Sequence, residues 1–184
     1  MTKLEHRKYR ACTISTYDFS TFYTTLPQNL IKVKLTQLIE KIFTRENILF
    51  LACNADRAIF TNDTFKHYIM WTCPDVCKSL SLLLYNIYVR YGDTVYCHVI
   101  GIPMGTNCAP LVADLFLYCY ARDVILSLKS DTQADIIEAF NNTYRYLDDI
   151  FNIDNPFLTL CFLSYTQKSY VLIKQTNPIS RRHV

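Results

Sequence analysis

Asp148 and Asp149 stand side by side in Tyr146-Leu147-Asp148-Asp149, and a third aspartate, Asp18, sits far upstream in Tyr17-Asp18-Phe19-Ser20. Carboxylate oxygens are the ligands that hard divalent cations prefer. Two adjacent aspartates in a partly buried site repel each other, and one is driven toward protonation unless a cation compensates. Metal resolves that repulsion. Two such ions roughly 3.5–4 Å apart can serve both the attacking and the leaving oxygen of a phosphoryl transfer, in which the protein mainly positions reactants and stabilises charge. An Asp-Asp pair alone is weak evidence, because turns favour aspartate. A further signal lies between the acids, in Gly101-Ile102-Pro103-Met104-Gly105-Thr106-Asn107-Cys108-Ala109-Pro110. Two of the chain's 3 glycines fall there, as in a turn that lets a backbone approach a flat or charged ligand closely.

These groups need elements to hold them. Residues 11–17, rich in Thr, Ile and Tyr, read as a strand that delivers Asp18 at its end. Pro27 opens a helix to about Arg45, with Ile31, Leu35, Leu38, Ile39 and Ile42 on one stripe, and this helix should lie against a sheet. Residues 47–72 break into short apolar runs around Asn54, Asp56, Asn62 and Asp63, an irregular excursion holding a strand pair. Pro74 starts a second helix whose Leu80, Leu83, Leu84, Ile87 and Tyr91 share a face and which Gly92 ends as a C-cap. Residues 94–100 form a strand running into the glycine turn, and 109–128 an apolar helix expected to be deeply buried. After an amphipathic stretch at 134–140, strands 143–147 and 151–153 make a hairpin with the acids at its tip. The hairpin implies antiparallel pairing, and there is no strict strand-helix repeat. The class is therefore α+β, an antiparallel sheet with helices packed on one face.

At 184 residues, 51% hydrophobic and 14% aromatic, the chain suits one packed domain over 1–184 rather than a disordered segment. Its net charge is only +3, with basic clusters at Lys3, Arg7, Lys8 and Arg10 and at Arg181 and Arg182 that either meet phosphates or are simply solvated. The longest uncharged stretch, 94–113, contains His98, Pro103, Asn107 and Pro110 and makes a poor membrane span. The start is charged from Lys3 onward and lacks the apolar core of a secretory signal, so an intracellular protein with reduced thiols is expected. The 8 cysteines read as small hydrophobes; a zinc cluster of Cys73, Cys77 and His67 lacks a fourth ligand.

Taken in order, the strand ending at Asp18, the glycine turn opening a helix and the Tyr-Leu-Asp-Asp hairpin resemble the reverse transcriptase domain of Penelope-like retroelements, relatives of telomerase reverse transcriptase. Residues 16–27, Thr-Tyr-Asp-Phe-Ser-Thr-Phe-Tyr-Thr-Thr-Leu-Pro, resemble the family's first palm motif; 101–110 resemble its second, and Arg145-Tyr146-Leu147-Asp148-Asp149 its third. The resemblance covers nearly the whole chain, with the motifs inside 11–177, and implies a right-hand polymerase palm with fingers and thumb largely missing. It implies Asp18 and Asp148 as principal metal ligands with Asp149 as third acid, for two Mg²⁺ ions, with Mn²⁺ as the alternative. The backbone from Phe19 through Ser20 and Thr21 to Phe22 would face the incoming triphosphate, and Tyr23 would be a sugar gate against the ribose 2′-hydroxyl. Pro103, Met104 and Gly105 would contact template or nucleotide, Tyr146 would touch substrate, and Lys174 would be a general acid toward the leaving pyrophosphate.

The activity so implied is RNA-directed DNA synthesis on an RNA or DNA template with a DNA primer and deoxynucleoside triphosphates, away from membranes and in the nucleus. This sequence departs from the family pattern at Ser164-Tyr165-Thr166, where relatives carry an Ile-Tyr-Pro-like run, and it matches neither the fingers nor the endonuclease part of some relatives. The alternative expectation is thus a truncated, non-catalytic remnant, at most a nucleic-acid-binding module.

Overall fold

In the computed structural model, side chains are described for residues 13–19, 21–128 and 134–158 and backbone alone for 172–177. Strand β1 (Ile14–Phe19) leads through a single turn, α1 (Phe22–Thr25), to the long helix α2 (Gln28–Arg45). Three short strands follow, β2 (Phe50–Cys53), β3 (Ala58–Thr61) and β4 (Ile69–Trp71), then α3 (Cys73–Tyr85) and the hairpin β5 (Tyr88–Tyr91) and β6 (Thr94–Cys97). Helices α4 (Ala109–Ser127) and α5 (Ala134–Phe140) precede β7 (Thr143–Tyr146), β8 (Asp149–Ile153) and β9 (Leu172–Asn177). The basic clusters at both ends, Ser20, and Ser164-Tyr165-Thr166 lie outside the described residues. The chain divides into two compact units, residues 1–22 with 120–184, and residues 23–119.

The first unit is built on an antiparallel sheet in the order β7-β8-β1-β9. Alternation along its strands separates two faces, as expected of an antiparallel sheet with one side solvated. Ser15, Tyr17 and Phe19 of β1 are buried, as are their cross-strand partners Ile150 and Asn152 of β8. The intervening positions, Thr16, Asp18, Asp149 and Phe151, are half-buried or exposed, and the Tyr144 and Phe151 rings meet on that side at 6.4 Å. On the covered side, Ala121, Val124 and Ile125 of α4 and Phe140 of α5 surround a small apolar cavity of about 120 Å³ against Arg145 and Ile150. Among the described residues of this unit, helices line one face of the sheet.

In the second unit α2 packs against α3, and β2 lies between β3 and β4 in a three-stranded antiparallel sheet. The segment 47–72 thus holds one strand more than its sequence pattern suggests. Gln28, Ile31, Leu35 and Phe43 are the buried face of α2, which Pro27 caps. Helix α3 ends at Tyr85, and Gly92, with φ +59°, makes the turn of the β5–β6 hairpin rather than a helix C-cap. The reason is local: Tyr88, Val89 and Tyr91 favour a strand over a continuing helix, and Asn86 already closes the helix with its N–H on the Leu82 carbonyl. Helix α4 is less uniformly buried than its composition suggests, because Ala113, Phe116 and Leu117 are inside while Leu111, Tyr118 and Leu126 are exposed. No helix among the described residues is long and apolar enough to cross a membrane.

The start of α3 is a capping box, in which the Asp75 carboxylate accepts hydrogen bonds from the Thr72 backbone N–H at 3.0 Å and from the Thr72 hydroxyl. Thr72→Ala should lower stability by about 1 kcal/mol, the usual loss of an N-cap, read as a lower urea midpoint with unchanged slope. An unshifted midpoint would show that the cap contributes nothing.

Candidate active site

Strand pairing brings the acids of distant segments together. Tyr17 pairs with Ile150 and Ile14 with Ile153, and the same register, carried one residue further, sets Asp18 across from Asp149. Tyr146 pairs with Asp149, so Leu147 and Asp148 alone form the two-residue turn between β7 and β8. Asp18 lies within β1 rather than just beyond it, and Asp149 opens β8. Asp148 and Asp18 are half-buried, Asp149 is exposed, and the Tyr146 ring beside them is 77% exposed, so the group is open to a large ligand.

The turn is strained in a defined way. Leu147 has φ +53°, a region that non-glycine residues rarely occupy. Two-residue hairpin loops favour positive φ because it matches the twist of the flanking strands. The Arg145 guanidinium donates to the Leu147 carbonyl at 2.9 Å and holds the peptide that precedes Asp148. Such local strain, held by its surroundings, fixes the direction of the following side chain.

The carboxyl of Asp18 is pushed above the usual carboxylate range, first by partial burial, then by the charges of Asp148 and Asp149, while a backbone hydrogen bond at Phe19 acts the other way. The three acids therefore share one electrostatic environment. The folded chain holds the Asp18 proton more tightly than the unfolded chain does. The resulting penalty on stability is absent below the ordinary value of 3.8 and complete once pH has risen through the raised one. Asp149→Asn should accordingly raise the melting temperature at pH 7 and leave it unchanged at pH values below 3.8. A gain of equal size at both pH values would refute the electrostatic origin.

The glycine turn belongs to the second unit. Gly101 has φ +82°, and a Cβ built on it would lie 2.5 Å from the Tyr23 carbonyl oxygen and 2.8 Å from the Thr24 carbonyl, so only glycine fits. The Gly101 N–H donates to the Leu26 carbonyl at 2.8 Å and that of Ile102 to the Tyr23 carbonyl at 2.7 Å. Beyond this contact the chain opens outward. Gly105, at φ +112°, has open space where a Cβ would stand, Met104 is 75% exposed, and Pro103 is half-buried.

The remaining predicted site residues are placed as follows. Phe19 and Phe22 are buried with ring centroids 5.4 Å apart, Thr21 between them has φ +56°, and Tyr23 is 9% exposed. In the backbone register Lys174 pairs with Tyr17, and Ile173, not Lys174, stands opposite Asp18. Two further residues are not apparent from motif spacing. Gln28 is a polar residue on the same helical stripe as Ile31 and Leu35, and that position is the signal that it is inside. Arg145 gives no such signal; its role follows only from the turn it supports.

Among the described residues no three His, Cys, Asp or Glu side chains are gathered closely enough to hold a metal ion by themselves. The donor chemistry nevertheless suits Mg²⁺, which keeps several waters and takes one or two carboxylates together with phosphate oxygens rather than a closed protein cage. The mutual repulsion felt at Asp18 is the sign of a cluster that a cation would relieve.

No family model matches the chain, and no curated protein does. Its fold, however, is found in solved structures. It superposes on telomerase from Candida albicans, determined with a TWJ fragment of telomeric RNA, with a TM-score of 0.57 at 15% identity over 88% of this chain. It matches apo telomerase from Candida tropicalis with a TM-score of 0.54, again at 15% identity over 88% of this chain. The chain spans 27% and 28% of those two proteins. The architecture is thus α+β, with the palm-like fold of telomerase, a reverse transcriptase.

Proposed function

We propose that this chain is the palm of a reverse transcriptase, an RNA-directed DNA polymerase that adds deoxynucleotides to a primer by phosphoryl transfer, and that it comes from a retroelement of the Penelope-like kind acting in the nucleus. The observation that carries this reading is Asp18 set across from Asp149, with Asp148 near enough to raise its pKa. The fold shared with telomerase supports it.

Asp18 and Asp148 would hold the two Mg²⁺ ions, or Mn²⁺, with Asp149 as the third acid. When bound, such ions offset charge on the attacking and leaving oxygens of an in-line displacement. The chain's own residues do the positioning. The backbone from Phe19 to Phe22 faces the triphosphate, the Tyr23 ring excludes a 2′-hydroxyl, and Pro103, Met104 and Gly105 support the nascent base pair. Tyr146 offers its exposed ring beside the acids; Lys174 as proton donor to the departing pyrophosphate is what the resemblance implies, and its register opposite Tyr17 rather than Asp18 does not support it. The partners are an RNA or DNA template, a DNA primer and deoxynucleoside triphosphates.

A second reading is a non-catalytic remnant acting at most as a nucleic-acid-binding module, since 15% identity to the telomerase structures carries the fold alone. Primer extension by the purified protein with Mg²⁺, compared with Asp148→Ala, separates the two. Extension that the substitution removes supports the polymerase. No extension by either protein, with salt-sensitive binding of single strands by both, supports the binding module.

A further inference from the structure

Arg145 reaches the acidic turn from the helix-lined side of the sheet. It pairs with Ile150, which is 1% exposed, and it lines the apolar cavity together with Ala121 and Val124 of α4 and Phe140 of α5. From there its Nη1 donates to the Leu147 carbonyl at 2.9 Å, so the guanidinium holds the one peptide that joins Leu147 to Asp148. Local preference does not hold that peptide. Leu147 is the first of the two turn residues and has φ +53°, where hairpin loops of this length favour glycine and a β-carbon is disfavoured. The Arg145 bond opposes its relaxation. Every group involved belongs to the same compact unit.

We infer that Arg145 is a positioning residue for the cation site: by holding the strained Leu147 peptide it fixes the direction of the Asp148 carboxylate. A leucine in place of a glycine makes that direction depend on the packing beneath the sheet, because the turn keeps its shape only while the guanidinium stays in place. The consequence for cations rests on the polymerase reading, whereas the hold on the turn rests on the hydrogen bond and the dihedral angle alone.

The test combines cation binding with stability. Arg145→Met keeps an apolar stem in the cavity and loses the donors. Groups that orient a metal's ligands typically carry about 10–100-fold in affinity, so Mn²⁺, titrated alone and followed by its EPR signal, should bind this variant about tenfold more weakly than the wild type. Arg145→Lys, which retains donors on a long stem, should recover most of the loss. Leu147→Gly added to Arg145→Met should restore Mn²⁺ binding, because glycine takes φ +53° without support. Leu147→Ala in the same background, which trims the side chain and keeps the penalty, should not. Stability should follow the same order: Arg145→Met should lower the urea midpoint less when Leu147→Gly is present than when it is absent. Equal midpoint losses with and without Leu147→Gly, or Arg145→Met binding Mn²⁺ as tightly as the wild type, overturn the proposal. Wild-type protein that binds no Mn²⁺ overturns the metal-dependent polymerase reading, and the midpoint comparison then still decides whether Arg145 holds the turn.

Discussion

Asp148→Ala should reduce primer extension by about a thousandfold or more, because cation-mediated charge stabilisation is worth several kcal/mol and each 1.36 kcal/mol is a factor of ten in rate. The loss should fall on kcat, since the interaction matters most where charge develops in the transition state. Folding should survive. Asp148 is half-buried in a two-residue turn, and the Arg145 bond that supports the turn ends on Leu147 rather than on the carboxylate. Removing one of three mutually repelling acids should also ease the strain on Asp18. The variant should therefore be inactive and at least as stable as the parent, a combination that misfolding cannot produce. Extension at the parental rate would sink the polymerase reading, and inactivity with loss of structure would make the experiment one of folding.

Gly101→Ala should be the most damaging small substitution in the second unit. It places a methyl group within 2.8 Å of three backbone atoms of Tyr23 and Thr24 and asks alanine to hold φ +82°. Positive φ alone costs about 1–2 kcal/mol, and relieving a backbone overlap typically costs about 1–3 kcal/mol more. A total of about 3 kcal/mol corresponds to a fall of roughly 10 °C in melting temperature for a chain of this size. Gly105→Ala supplies the contrast, since nothing lies within 4 Å of its added Cβ and only the φ of +112° opposes it. Equal effects at the two glycines would show that dihedral preference, not backbone contact, sets the requirement at Gly101.

Much of this arrangement is legible in the residues themselves. The hairpin tip at Asp148, the helix that follows Pro27 and the apolar α4 carry local signals: a turn between two β-rich runs, a capping proline, a long periodic run. The approach of Asp18 to Asp148 and Asp149 is not local, and the resemblance to a polymerase palm supplies what spacing does not. The readings that failed did so where two local signals compete. The stretch 80–92 has helical periodicity, yet its second half has β propensity and a Tyr-Gly-Asp turn, and the chain takes the hairpin. Likewise the apolar composition of α4 suggests burial all round, whereas the fold buries one side and leaves Leu111, Tyr118 and Leu126 exposed. Gln28 is readable only as an exception to an apolar stripe, and its partners, two backbone carbonyls about seventy residues on, have no counterpart in composition.

The sheet that holds the acids joins strands far apart in the chain: the earliest described strand, β1, lies between β8 and β9, which follow more than a hundred residues downstream. A nascent chain leaving the ribosome can complete helix α2 and its own short sheet long before β1 has any partner. Assembly of the carboxylate face must therefore wait until β8 and β9 have been made. Non-local closure of this kind is slow and exposes unpaired strand edges meanwhile. Nascent chains arrested before residue 149 should hold a protease-resistant 23–119 segment and a digestible amino-terminal strand.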